Sequence, residues 1–257
     1  MTMYAEERQQ AIARLVAQQG RISVAELARQ YDVTTETVRR DLSSLERLGL
    51  VRRVHGGVVP PSALPLVEAG IRERDQVNTE AKEQIARAAL DRIPPAGGTI
   101  LPDAGSTTVR LASLLPPDHA LTVITHAVPV AARLAGQRHI DLRLLPGRVR
   151  RTTQAAVGAD TVAALSGIRV DVAFLGTNGL TVDFGLTTPD PDEAAVKRAV
   201  VTAGREVVAL VDASKFGVET AIRFASTEDL DVVVTDRGTA TAHRRALAKA
   251  GVEVVVA

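Results

Sequence analysis

Cysteine is absent from this chain of 257 residues, which excludes disulfides and thiolate metal sites and fits a reducing compartment. Tryptophan is absent too, and aromatic residues amount to 2%, so any core must be built from Val, Leu, Ile and Ala. No apolar run is long enough to span a bilayer, and the opening MTMYAEERQQ has no hydrophobic signal core. The expected location is therefore the cytoplasm, with no membrane partner. Charge of neither sign prevails: 31 basic against 30 acidic side chains give a net +1, a balance that says nothing about nucleic acid. No internal repeat or low-complexity segment is evident.

What is present is a globular composition, 46% hydrophobic and 24% charged, with length for a small domain and a larger one. The densest signals come first. Ala5 to Gln19 reads as a helix with Ala11, Ile12, Leu15 and Val16 on its inner face and Gly20 closing it. Ser23 and Glu26 form a capping box, and Ile22 with Leu27 a hydrophobic staple, so a short helix runs from Val24 to Gln30. Tyr31 to Thr34 turns the chain, and Thr34 caps a third helix, Thr35 to Leu48, with Val38, Leu42 and Leu45 as its buried stripe. Gly49 ends it as a C′ residue, and LVRRVHGG reads as a short strand bearing Arg52 and Arg53 before a Gly-Gly turn. Long helix, short capped helix, tight turn and polar-faced helix make a helix-turn-helix, and the trailing strand makes it winged.

At about 100° per residue, Glu36, Thr37, Arg40, Ser43, Ser44 and Arg47 fall opposite the apolar stripe, with Arg39 on the flank. Guanidinium and hydroxyl groups bond phosphate oxygens and base edges. A solvated amphipathic helix would show similar charges, and the winged context favours double-stranded DNA. Residues 1–60 hold nine Arg against seven acidic side chains, and the remainder 22 basic against 23 acidic. So weak a field leaves affinity to placed arginines and to dimerisation.

The run GRISVAELARQYDVTTETVRRDLSSLERLGLVRRVHGG resembles the signature of the DeoR family of bacterial transcription regulators. The resemblance implies that Thr35, Thr37, Arg39 and Arg40 face DNA from the recognition helix, and that Arg53, His55 and the two glycines belong to the wing. With Ser44 from the outward face and Arg52 from the strand, these residues form the expected operator interface.

Pro60, Pro61 and Pro65 and the charged RERD run mark 58–76 as a linker between a winged helix at 1–57 and a domain at 77–257. From Asn78 helices alternate with short apolar strands: GTIL, LTVI, IDLRLL, RVDVAFLG, EVVALV, DVVVT and VEVVV. That texture predicts a Rossmann-like α/β domain, a mainly parallel sheet covered on both faces, with ligands at the carboxyl ends of its strands. There Asp103-Ala-Gly-Ser-Thr-Thr108 follows GTIL and opens a helix. Gly105 permits close approach, the helix start and the Ser106, Thr107 and Thr108 hydroxyls suit a phosphate, and Asp103 suits sugar hydroxyls. A plain capped helix start has the same pattern, but other strand ends are similarly equipped. Leu175-Gly176-Thr177-Asn178-Gly179 follows one strand, and Lys215 in DASKFG offers a compact cation after another.

DAGST at Asp103–Thr107, FLGTNGL at Phe174–Leu180, GLTT at Gly185–Thr188, Glu193 with Lys197, and DASKFG at Asp212–Gly217 are similar to the effector domain of the same family, whose fold is like that of ribose-5-phosphate isomerase. Two places depart: Thr125-His126 stands where the family commonly has Thr-Asn, and Pro146-Gly147 where it has Gly-Gly. Both are expected at pocket edges, with His126 on the rim and His119, His139 and His243 at the surface. The expected effector residues are Asp103, Gly105, Ser106, Thr107, Thr108, Thr125, Gly176 and Lys215, with no metal and no cofactor. The reading is a homo-oligomeric repressor, dimer or tetramer, released from operator DNA by a sugar phosphate, and not an enzyme. The alternative is an isomerase-like enzyme carrying a DNA-binding module, using Asp183, Glu193, Asp212 and Lys215.

Overall fold

The computed structural model describes residues 4–19, 22–54, 57–60, 68 and 70–257. The chain divides into two compact units, residues 1–64 and 65–257.

In the first unit α1 (Ala5–Gln19), β1 (Ile22–Ser23), α2 (Val24–Gln30), α3 (Thr35–Arg47), β2 (Arg52–Val54) and β3 (Gly57–Val59) enclose one aliphatic core. Ile12, Val16, Leu27, Val38, Leu42, Leu45 and Val58 are buried together there. The caps fix the helix starts. Ser23 and Glu26 exchange hydrogen bonds as a capping box, and the Thr37 N–H donates to Thr34 Oγ1 at 3.1 Å. Gly49, at φ 69°, takes the left-handed turn that releases the chain from α3. The wing is antiparallel, and its sheet order β1-β3-β2 draws Ile22 onto Val58. A Cβ at Gly57 would stand 2.4 Å from the Ile22 carbonyl oxygen, so this pairing needs glycine. The expected boundary at 57 thus falls at the first residue of a buried strand, because β3 closes the winged helix.

The second unit runs α4 (Ile71–Gln76), α5 (Thr79–Ala88), β4 (Thr99–Pro102), α6 (Ser106–Ser113), β5 (Leu121–Thr125), α7 (Val128–Leu134), β6 (Ile140–Leu144), β7 (Arg148–Val149), β8 (Ala156–Val157) and α8 (Ala159–Ser166). It continues with β9 (Val170–Leu175), β10 (Gly179–Thr181), β11 (Gly185–Thr188), α9 (Pro191–Ala203), β12 (Gly204–Leu210), β13 (Ile222–Ala225), β14 (Val232–Thr235), α10 (Thr241–Lys249) and β15 (Glu253–Val256). The residues expected to be linker therefore include a helix, α4. Seven strands form a parallel sheet in the order β6-β5-β4-β9-β12-β14-β15. Alternation sends Val172 and Phe174 of β9 to one face, with Ile85, Leu111 and Val130 of α5, α6 and α7. Ala173 and Leu175 go to the other, with Leu165, Val196 and Leu247 of α8, α9 and α10. Truncating a fully buried aromatic such as Phe174 to Ala costs about 3–5 kcal/mol.

The chain leaves β4 in one direction and returns at β9 on its other side. That is a topological switch point, and the crevice outside the carboxyl ends of β4 and β9 is where such sheets hold ligands.

Candidate functional site

On the winged helix, Thr35, Arg39, Arg40 and Arg53 are exposed, with 81% of the Arg40 side chain open to solvent. Glu36 lies 3.8 Å from Arg39 and 3.6 Å from Arg40, contacts that solvent screens and that DNA phosphates can displace. Thr37 is half-buried, and its hydroxyl meets that of Thr34 at 2.9 Å, so it belongs to the cap. Ser44 is half-buried and accepts from Arg47 Nη2 at 3.3 Å. Arg53 joins wing to helix: its N–H donates to Glu46 Oε1 at 2.8 Å, and its Nη1 to Ser43 Oγ at 3.0 Å. His55 and the side chain of Arg52 lie outside the described residues. Unforeseen is Asp41, buried on the inner side of α3, which accepts from Arg8 Nε at 2.6 Å and Gln9 Nε2 at 2.9 Å. That pair fixes α3 against α1.

At the switch point of the second unit the charges are interior. Asp103, directly after β4, is fully buried. Its Oδ2 accepts from the Lys197 ammonium and from the Gly176 N–H at 3.1 Å, and its Oδ1 lies 2.9 Å from His126 Nε2. Burial alone would raise the Asp103 carboxyl, but Lys197 and His126 outweigh it and hold it well below the usual carboxylate range. Lys197 also donates to the Gly176 carbonyl at 2.9 Å and sits 5.2 Å from the centroid of the Phe224 ring. His126 Nδ1 faces the Ala156 carbonyl at 2.9 Å. One lysine from α9 thus ties the end of β4 to the end of β9.

Above this floor the loops meet closely. A Cβ on Gly105 would come within 3.9 Å of Gly176 Cα, which brings the α6 start against the loop after β9. Thr108 spends its hydroxyl on the Gly105 carbonyl at 2.9 Å. The Ser106 and Thr107 hydroxyls have no hydrogen-bond partner among the described residues, and no side chain caps α6. The first turn of an eight-residue helix therefore keeps donors without a protein partner among the described residues, although Ser106 and Thr107 are themselves buried.

Beside it, Arg150 is ringed by carboxylates. Its Nη2 donates to Glu68 Oε2 at 2.9 Å, its Nε lies 3.2 Å from Asp190, and its Nη1 donates to Glu193. Burial pushes the Glu193 carboxyl up, with Glu68 and Asp103 adding to the shift and Lys197 and Arg150 opposing it. A second cluster lies where α4 meets α5. Asn78 Nδ2 donates to Asp212 Oδ1 at 2.9 Å, and Lys82 donates to the carbonyls of Arg74 and Val77. Burial pushes Lys82 down to about 8, with Lys215 and Arg74 adding and Asp212 and Asp75 opposing. A cavity of about 380 Å³ opens here, lined in part by Asn78, Asp212, Ser214 and Asp236.

Of the expected effector residues, Asp103, Gly105, Ser106, Thr107, Thr108 and Gly176 come together at the switch point. Asp103 holds the floor, however, with both oxygens already engaged. Thr125 is also buried: its hydroxyl donates to the Pro102 carbonyl at 2.8 Å and accepts the Ala127 N–H at 3.1 Å, a brace between β4, β5 and α7. Lys215, half-buried, has Asp212 and Arg74 as its neighbouring charges, in the second cluster. His126 is on the floor and not the rim, fully buried, and His119, His139 and His243 are half-buried. Glu68, Arg74 and Arg150 were not singled out from sequence. Arg150 lies in an unremarkable RVRR run, and no local signal marks it. Lys197 had a signal, its spacing of four from Glu193 on a helix. Among the described residues no group of three or more His, Asp or Glu could hold a metal ion, and no helix is long and apolar enough to cross a membrane.

Comparison with known proteins extends these findings. Residues 8–63 match the DeoR-like helix-turn-helix domain, and residues 77–237 the DeoR C terminal sensor domain. The HTH-type transcriptional regulator GlpR of Haloferax volcanii is 35% identical over 98% of this chain and 98% of its own. The glycerol-3-phosphate regulon repressor of Escherichia coli K12 is 34% identical over 90% of each chain. Among solved structures, ribose 5-phosphate isomerase A from Methanocaldococcus jannaschii aligns at 20% identity over 54% of this chain and 55% of that one, with a TM-score of 0.41. With a winged helix presenting Arg39, Arg40 and Arg53, a sensor-type sheet behind it in the chain, and relatives matched nearly end to end, this protein belongs to the DeoR family of transcriptional regulators.

Proposed function

We propose that this protein represses genes of sugar metabolism and leaves its operator when a phosphorylated sugar binds the α/β unit. The observation that carries the reading is the α6 first turn, which starts at the β4–β9 switch point with no side-chain cap and with the Ser106 and Thr107 hydroxyls free of hydrogen-bond partners among the described residues. Such a turn favours a phosphate through its orphan donors and the positive end of the helix dipole. The glycerol-3-phosphate regulon repressor among its relatives supports a phosphate-bearing effector. On the DNA side, Arg39 and Arg40 read or hold the major groove while Arg53 and the wing take the backbone. A dimer or tetramer presents two recognition helices to two half-sites, which offsets the low net charge of each. Nothing favours the isomerase alternative: Glu193 is held by Arg150, and Asp212 by Asn78 and Ser214.

The test is operator selection from random duplex DNA, followed by fluorescence anisotropy of the labelled operator against a panel of sugar phosphates and the same sugars without phosphate. Release by one or more phosphorylated compounds at concentrations where the free sugar does nothing is expected. No release by any of them, or equal release by free sugar, sinks the reading.

A further inference from the structure

Glu68 is the fourth residue of the second unit, whose division from the first falls between Leu64 and Pro65. Only 6% of its side chain is exposed, unusual for a carboxylate at the edge of a domain. Three donors converge on it: Arg150 Nη2 at 2.9 Å on Oε2, and Asn178 Nδ2 at 3.3 Å with Arg74 Nη1 at 3.5 Å on Oε1. Asn178 stands two residues after Gly176, so by chain length its Cα lies within about 7 Å of the glycine that touches the α6 start. Through Arg150 and Glu193 the carboxylate is also linked to Lys197, which holds the switch point.

The three donors come from well-anchored positions. Arg150 is held from its far side by Asp190 and Glu193, and the Asn178 N–H donates to the Thr187 carbonyl at 3.1 Å. Arg74 sits on α4, where the Ile71 N–H donates to the Thr152 carbonyl at 2.8 Å. Two guanidinium groups and an amide, mutually positioned and mostly withdrawn from water, make a site for any oxyanion of carboxylate or phosphate geometry. Among the described residues of this cluster, only Glu68 comes from the stretch between the wing and α4.

We propose that Arg150, Arg74 and Asn178 form an anion seat for the effector, and that Glu68 fills it in the effector-free protein as a built-in competitor. This rests on the effector-binding role given above to the same crevice. An incoming anionic group, the phosphate itself or a second acidic group on the sugar, takes over the three hydrogen bonds and expels the Glu68 carboxylate. Effector affinity is correspondingly reduced, because part of the binding free energy displaces Glu68.

The test uses the full chain and its Glu68→Gln variant, which keeps size and removes charge. Calorimetry with inorganic phosphate, fructose 6-phosphate, fructose 1,6-bisphosphate and 6-phosphogluconate should give binding to Glu68→Gln tighter by about tenfold or more, since a charge-assisted contact no longer competes. Glu68→Gln combined with Arg150→Met should lose the gain, with near-ultraviolet circular dichroism unchanged as the folding control. The compound with the largest gain identifies whether the phosphate or a second acidic group occupies the seat. Equal affinities in the full chain and Glu68→Gln, or no binding to either, overturn the inference. A gain that is as large for inorganic phosphate as for every sugar phosphate leaves the seat standing and removes the sugar from the functional reading.

Discussion

In the winged helix Arg39 and Arg40 keep 57% and 81% of their side chains exposed, whereas in the α/β unit Arg74 and Arg150 keep 13% each and Lys197 2%. The outer arginines share one glutamate at 3.6 and 3.8 Å, and in high dielectric such pairs are worth about 0–1 kcal/mol. DNA phosphates can replace them with little loss. The inner cations have left water and must already be paired, since an isolated buried charge costs several kcal/mol. One unit can thus accept a polyanion without internal rearrangement. In the other, the inner cations can take up an anion only by exchanging it for one of their own.

The sharpest way to break this comparison is to unpair an inner cation. Lys197→Met leaves Asp103 buried with only His126 and the Gly176 N–H, and removing one partner of a buried pair costs about 3–5 kcal/mol. Urea unfolding should show a loss of that size in the α/β unit, while Lys197→Met with Asp103→Asn should recover part of it. A loss below about 1 kcal/mol would make Lys197 energetically equivalent to a surface lysine, and the contrast between the units would fail.

An outer arginine should behave oppositely. Arg40→Ala removes an exposed side chain whose one ion pair among the described residues is with Glu36, so thermal stability should stay within about 0.5 kcal/mol of the parent. Operator affinity should fall by about 1–3 kcal/mol per half-site if Arg40 contacts a base edge. Gel-shift titration beside a melting curve separates the two readouts. Full operator affinity in Arg40→Ala would take α3 out of the groove.

The two units also differ in how much of each is legible in the sequence. The helices of the winged helix are bounded in the structure almost where capping logic puts them, because a cap is a contact between residues three apart: Ser23 with Glu26, Thr34 with Thr37. The main strands of the parallel sheet are legible for a similar reason, most being short runs rich in Val, Leu and Ile. What escapes is non-local. Strand β1 has two residues and exists only because Ile22 meets Val58, and the β10-β11-β13 sheet joins segments from Gly179 to Ala225. The site follows the same rule. The position of Asp103 after β4 is readable, but its burial is not, because the lysine that claims it lies 94 residues on. Arg150 and Glu68 are 82 apart, and neither advertises the other.

A third prediction concerns a cation that is buried but not fully compensated. Lys82, pushed down to about 8 by burial with help from Lys215 and Arg74, meets opposing charge only from Asp212 and Asp75. The folded-state value lies below the ordinary 10.5, so between the two the unfolded chain binds the extra proton and stability rises with pH. Below about 8 both states are protonated and the penalty is constant. Near neutral pH the stability difference between Lys82→Met and the parent should therefore not depend on pH. The stability difference between parent and variant should move in the parent's favour from pH 8 to 10.5, and a flat difference profile would mean that Lys82 is as solvated as a surface lysine.

The smallest expected effect tests the outer half of the comparison alone. Arg53 is exposed, lies on β2, and reaches back to Ser43 of α3 through Nη1, a pairing of solvated groups that a phosphate oxygen can replace. If its role is to hold the DNA backbone, Arg53→Ala should weaken operator and unrelated duplex alike. Every phosphate that the protein no longer neutralises lowers the slope of log affinity against log salt by about 0.9, so the variant should show that reduction per Arg53 in the bound assembly. Discrimination between operator and random DNA should stay unchanged, because backbone contacts carry no sequence information. Anisotropy titrations at four or more salt concentrations, on both duplexes, measure slope and discrimination together. An unchanged slope with reduced discrimination would instead place Arg53 on a base edge, making the wing a reader of sequence alongside α3.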